Sequence, residues 1–187
     1  LEPSKYQNLK PYNQRIKNRI LNSGNVGRNN VKSKIGHFFS KNLNSSTYYY
    51  KLRTMCNDLS YIDYSGMLNN QYTNQDYPEY LSRYCTAIAA GTFSPAGKYF
   101  EIPAAGCMSF MEVTPKNHAK YLGFKNNETA IFIDEKNYKN KFEEYLSDSD
   151  NKRWSEIAKA GREYALNELN NDKAVESLIQ LMKEFIK

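Results

Sequence analysis

A chain of 187 residues is long enough for one domain with a real core and too short for two large ones. No run approaches the roughly 20 apolar residues that span a bilayer, and Leu1-Glu2-Pro3-Ser4-Lys5 lacks the charged-then-apolar layout of a signal peptide, so a soluble protein is expected. The formal charge is +6, but residues 1–53 carry 11 Lys/Arg against a single acid, Glu2, and the rest of the chain is net acidic. One-ended basicity fits a surface facing phosphates, whether of a nucleotide, a nucleic acid or lipid headgroups. A lysine-rich face that is only solvated explains the same excess, since Asn, Lys and Tyr are abundant throughout. Cys56, Cys85 and Cys107 are odd in number and lack metal-ligand spacing, which points to reduced, buried thiols in a cytoplasmic setting. The start at Leu rather than Met is expected of a piece of a longer chain.

Residues 1–15, with Pro3, Pro11 and no periodicity, read as an extended linker or arm, and the domain proper is expected over 16–187. Arg19-Ile20-Leu21-Asn22 is a short strand running into Ser23-Gly24-Asn25-Val26-Gly27, a small-residue turn that lets a ligand approach the backbone. Residues 28–47 are polar and basic around Ile35-Gly36-His37-Phe38-Phe39 and fit either a helix or an ordered loop. Residues 50–57 read as a helix, 59–63 as a second strand and 76–84 as a helix with Pro78 in its first turn. Cys85 to Ala90 is short and apolar and stops at Gly91, as a strand buried on both faces does. A helix near 95–105 and a strand from Cys107 to Val113 follow.

Beyond these, Thr114 and Pro115 open a helix over Lys116 to Leu122 that Gly123 ends, and Thr129 to Asp134 is a further strand. Three helices close the chain. The first covers 138–146; the second, opened by Ser149 or Asp150, spaces Trp154, Ile157, Ala158, Gly161, Ala165 and Leu169 on one side. The last sets Val175, Leu178, Ile179, Met182 and Ile186 in one apolar stripe. About five strands interleaved with helices predict an α/β fold: a three-layer Rossmann-like sandwich with a mostly parallel sheet and a helical C-terminus. Such sheets bind ligands beyond the carboxyl ends of their strands. That places Ser23-Gly24-Asn25, Thr92 to Lys98 and the surroundings of Glu112 to Thr114 at the site.

Thr92-Phe93-Ser94-Pro95-Ala96-Gly97-Lys98 is the most informative of these turns. Ser94 as N-cap and Pro95 as first helical residue would present free N–H groups to an anion such as a diphosphate. Gly97 would admit a ligand to the backbone, Lys98 supplies a cation, and Glu101 one turn on can accept hydrogen bonds from ribose hydroxyls. An ordinary capped helix with a surface Lys and Glu fits the same residues. His37 and His118 are isolated, and no His/Asp/Glu set has the look of a metal site.

From Tyr84 to Leu169 the features resemble the C-terminal, donor-binding half of GT-B glycosyltransferases, particularly the CgeB-like group. The resemblance is carried by Ser94-Pro95-x-x-Lys98-x-Phe100-Glu101-Ile102-Pro103-Ala104-Ala105-Gly106, by Thr129 to Asp134, and by Arg153-Trp154-Ser155-Glu156-Ile157-Ala158-Lys159-Ala160-Gly161-Arg162-Glu163. Ser23-Gly24 and Tyr50-Lys51-Leu52-Arg53 look like degenerate forms of earlier pieces. The resemblance implies a domain that binds a nucleotide diphosphate sugar, with Glu101 at the ribose and Lys98 near the phosphates. Where retaining members of the wider fold carry a sugar-contacting glutamate, this chain has Phe93, which puts retaining chemistry by that motif in doubt. It also implies an N-terminal acceptor domain in the same protein, for which this chain has no room, and an acceptor of unknown identity.

Glycosyl transfer needs the negative charge on the leaving diphosphate stabilised, and fixed N–H dipoles with Lys or Arg do this without a metal or other cofactor. Arg53 and Lys98 are therefore the catalytic candidates. Ser23, Gly24, Thr92, Ser94, Gly97, Lys98 and Glu101 are the candidates for binding the substrate. Two other readings compete: a non-catalytic interaction module on the same scaffold, and nucleic-acid binding through residues 1–53. The second ranks last because aromatic residues do not interleave with the basic ones.

Overall fold

The computed structural model describes residues 1–27, 46–66 and 76–185. The expectations placed on Ile35 to Phe39, His37 and Ile186 fall outside them. Five strands form one sheet: β1 (Ile20–Ser23), β2 (Ile62–Ser65), β3 (Thr86–Ala89), β4 (Met108–Glu112) and β5 (Ile131–Ile133). Every pairing is parallel and the spatial order is β2-β1-β3-β4-β5. The sheet is therefore the expected one, although β2 starts three residues later than Leu59.

The helices are α1 (Ser46–Tyr49), α2 (Lys51–Cys56), α3 (Tyr77–Leu81), α4 (Lys98–Ala104), α5 (Tyr138–Ser147), α6 (Lys152–Glu168) and α7 (Asn171–Phe185). Alternate strand residues feed two cores, because neighbouring side chains on a strand point to opposite faces. Ile20, Ile88, Phe110, Ile131 and Ile133 pack with Leu52 of α2, Phe142 and Tyr145 of α5 and Trp154 of α6. On the other face Leu21, Ala87, Ala89 and Met111 pack with Leu81 of α3 and Tyr99 and Ile102 of α4. The sandwich is three-layered, as the alternation of strands and helices predicts.

Three local expectations are corrected. The helix near 95–105 begins only at Lys98, with Gly97 in the N-cap position and no side-chain cap. Ser94 does not cap it, because the chain is still reversing there: a Cβ on Gly91 would sit 2.8 Å from the Ser94 carbonyl oxygen. Residues 116–122 form a short 3-10 turn, Ala119–Leu122, rather than a helix. Asn117 takes over the backbone that a helix would have used, its Oδ1 accepting from the N–H groups of Thr114 and Ala119. The cap of α6 is Asn151, which accepts from the Arg153 N–H, and neither Ser149 nor Asp150.

Residues 1–15 form an arm laid on the domain, with short 3-10 turns at Pro3–Tyr6 and Tyr12–Gln14. Tyr6 is buried, its carbonyl accepts from Arg162, and Arg15 reaches across to the Ala105 carbonyl at 2.9 Å. All three cysteines are free and buried. Helix α7 is different: none of its residues is buried, and Val175, Leu178, Ile179, Leu181, Met182 and Phe185 are exposed. Among the described residues no helix is long and apolar enough to cross a membrane.

Gly161 fixes how closely α6 approaches the sheet, since a Cβ there would overlap the Thr129 carbonyl oxygen. A backbone carbonyl yields little. Alanine in place of glycine inside a helix ordinarily gains up to about 1 kcal/mol, whereas overpacking costs about 1–3 kcal/mol. Gly161→Ala is thus expected to destabilise the domain by about 1–2 kcal/mol in urea denaturation, and a gain in stability would show that the contact is looser than described.

Candidate functional site

The order β2-β1-β3-β4-β5 means that the chain leaves β1 toward one edge and returns through β3 on its other side. The turns after β1 and β3 diverge at this switch point and leave a crevice beyond the carboxyl ends. A cavity of about 440 Å³ lies there, lined by residues that include Ser23, Gly24, Arg53, Gly97, Lys98 and Glu101. Six of the predicted residues are thus brought together. Thr92 faces a second cavity, and Ser94 is exposed and lines neither.

Arg53 enters from α2 and is almost completely buried, at 2 % exposure. Its Nη2 donates to the Ser23 carbonyl and its Nε to Asn22 Oδ1 at 3.1 Å, while the guanidinium lies over the Tyr50 ring. Lys98, the first residue of α4, comes from the opposite wall. Its Nζ donates to Ser23 Oγ at 3.1 Å and to the Tyr77 hydroxyl at 3.4 Å, and those two hydroxyls are 2.6 Å apart. Among the described residues neither cation has a carboxylate within salt-bridge distance.

Gly24 makes that convergence possible. Its φ of +92° is open to glycine and strained for other residues, and a Cβ would come within 2.5 Å of Lys98 Nζ and 3.1 Å of Arg53 Nη2. Burial, reinforced by the Arg53 charge and opposed by Glu101, pushes the Lys98 ammonium down to about 7. Burial also lowers Arg53 from its ordinary value, yet a guanidinium stays protonated. Glu101 is half-buried on the same wall. Burial raises its carboxyl above the usual range, against the pull of Lys98 and the N-terminal ammonium, and it makes no ion pair among the described residues. Ser65, at the carboxyl end of β2, lines the cleft, and its Oγ is buried without a hydrogen-bond partner among the described residues.

Chemically this is a cavity with a fixed cation, a titrating one, hydroxyls and a carboxylate to one side. The expected helix dipole contributes little, because α4 has only seven residues and starts at Lys98; the positive charge comes from the two side chains. Tyr77 and Ser65 are cleft residues that no sequence motif marks. Tyr77 reads only as part of a helix start, and nothing in its spacing marks the hydroxyl that bridges Ser23 and Lys98. Among the described residues no group of His, Cys, Asp and Glu forms a metal cluster; His118 is exposed and stacks on Tyr121.

A parallel five-stranded sheet with a basic crevice at its switch point defines the class: a Rossmann-like α/β domain. The comparisons make it narrower. A family model described as glycosyl transferase-like matches residues 34–180, and the chain belongs to that family. No curated protein matches the sequence. Among solved structures, a glycosyltransferase from Rickettsia africae is similar in fold, with a TM-score of 0.63 at 15 % identity; the match covers 100 % of this chain and 56 % of that one. The chain therefore spans a little over half the length of the structure it matches.

The depressed Lys98 has a sign that can be checked. Its folded value of about 7 lies below its ordinary 10.5, so the unfolded chain holds a proton there that the folded one lacks, and stability rises with pH across that window. The penalty is fully present below pH 7. Between pH 7.5 and 9, wild type is expected to gain on Lys98→Met by up to about 1 kcal/mol per pH unit in urea denaturation. Parallel pH profiles for the two proteins would mean that Lys98 titrates normally.

Proposed function

We propose that this chain is the donor-binding domain of a glycosyltransferase, and that the cleft between β1 and β3 holds the diphosphate of a nucleotide sugar. The observation that carries the reading is the pair Arg53 and Lys98: two basic side chains that converge on Ser23 and Gly24 with no ion pair among the described residues. Keeping two like charges together in a partly dehydrated pocket is costly. An anion of two or more negative charges turns that cost into affinity. Glu101, with no ion pair among the described residues, is the acceptor for ribose hydroxyls on the adjoining wall.

In the transfer step the glycosidic C–O bond to the diphosphate breaks and negative charge grows on the leaving oxygen. Arg53 is preset by Ser23 and Asn22, and Lys98 regains full charge as the anion arrives, so both stabilise that oxygen without reorganising. Because these side chains meet the developing charge themselves, the proposed chemistry is metal-independent. The acceptor binds to an N-terminal domain of the same protein, and the exposed apolar row on α7 is the surface that such a domain covers. The partners are thus a nucleotide-sugar donor, an acceptor whose identity is open and a second domain, not a nucleic acid; the setting is cytoplasmic.

UDP, GDP or a related nucleoside diphosphate is expected to raise the melting temperature of the chain, and no shift with any of them at millimolar concentration would contradict the reading. Charge-assisted hydrogen bonds contribute about 1.5–3 kcal/mol each, so Lys98→Ala should weaken the stabilising nucleotide roughly 10- to 100-fold in calorimetric titration. Glu101→Ala separates the roles. It should weaken the nucleoside diphosphate while leaving inorganic pyrophosphate untouched, and equal loss of both would remove Glu101 from the ribose.

A further inference from the structure

A further cavity, of about 310 Å³, opens at the other end of the domain, between the arm and α6 and beside the amino end of β4. Its lining includes Lys10, Arg15, Gly106, Lys159 and Arg162, and none of the described residues that line it is acidic. Helix α4 joins it to the first cleft: Lys98 starts that helix in the one, and Gly106, just beyond its last turn, lies in the other. Seven residues of helix put about 10 Å between the two.

We propose that this cavity is a second anion site, which takes the phosphate group of a small phosphate monoester between Arg15 and Arg162, with Lys10 and Lys159 at its rim. The inference does not depend on what the first cleft binds.

The carbonyl end of α4 accounts for the two arginines only in part. A helix leaves its last carbonyls without intrahelical donors. Gly106, at φ +74°, turns the chain back so that its own N–H meets the Pro103 carbonyl and the Cys107 N–H meets that of Ile102. The Ala104 and Ala105 carbonyls remain. Arg162 Nε donates to the first at 3.1 Å and Arg15 Nη1 to the second at 2.9 Å. One neutral donor for each carbonyl would complete the cap. Instead two full charges lie against Gly106, where a Cβ would come within 3.2 Å of Arg15 Nη2 and 3.3 Å of Arg162 Cδ.

No acid offsets those charges among the described residues. Arg15 is only 9 % exposed; its Nε donates to the Lys10 carbonyl and its Nη1 also approaches Cys107 Sγ. Arg162 Nη2 donates to the Tyr6 carbonyl. Among the described residues both guanidiniums thus rest on uncharged acceptors, and Arg15 Nη2 and Arg162 Nη1 meet none. Lys10 also lacks an ion pair among them, and Lys159 has the exposed Glu163 at 3.9 Å. A guanidinium keeps its charge at any working pH, and burying one without a counter-charge is costly. Two preset forks, each with a nitrogen to spare, and two mobile ammonium groups match the three oxygens and double charge of a phosphate monoester. Leu9 and Tyr12 line the same cavity and give the organic part of the ester an apolar wall. A free ester and a lipid headgroup offer the same chemistry to these groups.

Amide chemical shifts of the 187-residue chain test the proposal, with inorganic phosphate and glycerol 1-phosphate at millimolar concentration as probes. Both should move Gly106, Cys107, Ser155 and Lys159 saturably. Lys10→Ala combined with Lys159→Ala removes only exposed side chains, and it should weaken glycerol 1-phosphate about tenfold. Arg15→Gln should weaken it about 10- to 100-fold; if that variant does not fold, the lysine variant decides. Ser23 and Gly24 report on the first cleft separately, and their response to phosphate should be the same in the lysine variant. Vesicles of phosphatidylcholine with and without phosphatidic acid distinguish the two sources. Sedimentation with phosphatidic acid that the lysine variant loses assigns a headgroup, and glycerol 1-phosphate binding without sedimentation assigns a free ester. Unmoved Gly106 and Ser155 together with no sedimentation, or binding that the lysine substitutions leave intact, would overturn the site. Single-stranded RNA that moves these amides where glycerol 1-phosphate does not would overturn the monoester class.

Discussion

Two basic side chains, Arg53 and Lys98, held side by side with no ion pair among the described residues are the constraint on which the account depends. Arg53 is immobilised on the Ser23 carbonyl and Asn22, and Lys98 on the Ser23 and Tyr77 hydroxyls. Both groups are removed from water, and each makes the other less comfortable. Elsewhere in the domain Lys51 pairs with Glu135 and Arg19 with Asp63, while the buried Arg15 rests on backbone carbonyls. At the switch point of the sheet two basic side chains converge on Ser23 instead. In the proposed reading a diphosphate supplies the missing charge and presents its leaving oxygen to both side chains.

The surrounding structure reads as support for that pair. Gly24 has to be glycine for Lys98 to approach. Gly27 donates to Thr54, whose hydroxyl in turn bonds the Tyr50 carbonyl, so the turn after β1 is tied to the helix that delivers Arg53. On the other side Asn117 joins Gly91, Tyr99 and Glu112. Each cation is therefore carried by an element whose ends are fixed from behind. The parallel order of the strands brings these ends to one edge, and membership of the glycosyl transferase-like family gives that edge its chemical context.

Much of this was legible in the sequence, and the exceptions are physical. Short apolar runs marked the inner strands β1, β3 and β4, which are buried on both faces and leave no room for polar alternation, whereas the edge strand β2 alternates. Ser94-Pro95 misled because proline's fixed φ serves a tight turn as well as the first turn of a helix, and only the return of the Ser94 carbonyl onto Gly91 distinguishes them. Residues 116–122 failed as a helix because a buried Asn outcompeted the helical hydrogen bonds, the usual way in which side-chain amides divert a backbone. Ser23, Gly24, Arg53, Lys98 and Glu101 were visible as a site through turn chemistry and family resemblance. Tyr77 and Ser65 were not, since their place in the cleft comes from packing between segments distant in the chain, as in the Ser23–Tyr77 contact 54 residues apart, rather than from local pattern. The stripe on α7 was equally plain in the sequence, but helical spacing records only that a face is apolar; that the described residues leave it bare is a fact of the fold.

Proton uptake measured on binding tests the central claim most directly. Pyrophosphate or UDP is titrated into the chain at pH 8 in buffers of different ionisation enthalpy. A Lys98 that is mostly neutral beforehand must be recharged by the arriving anion, so the account predicts net uptake of up to one proton, abolished by Lys98→Met, with affinity falling as the pH rises above 7. Binding without proton uptake, or affinity that strengthens with pH, would contradict it.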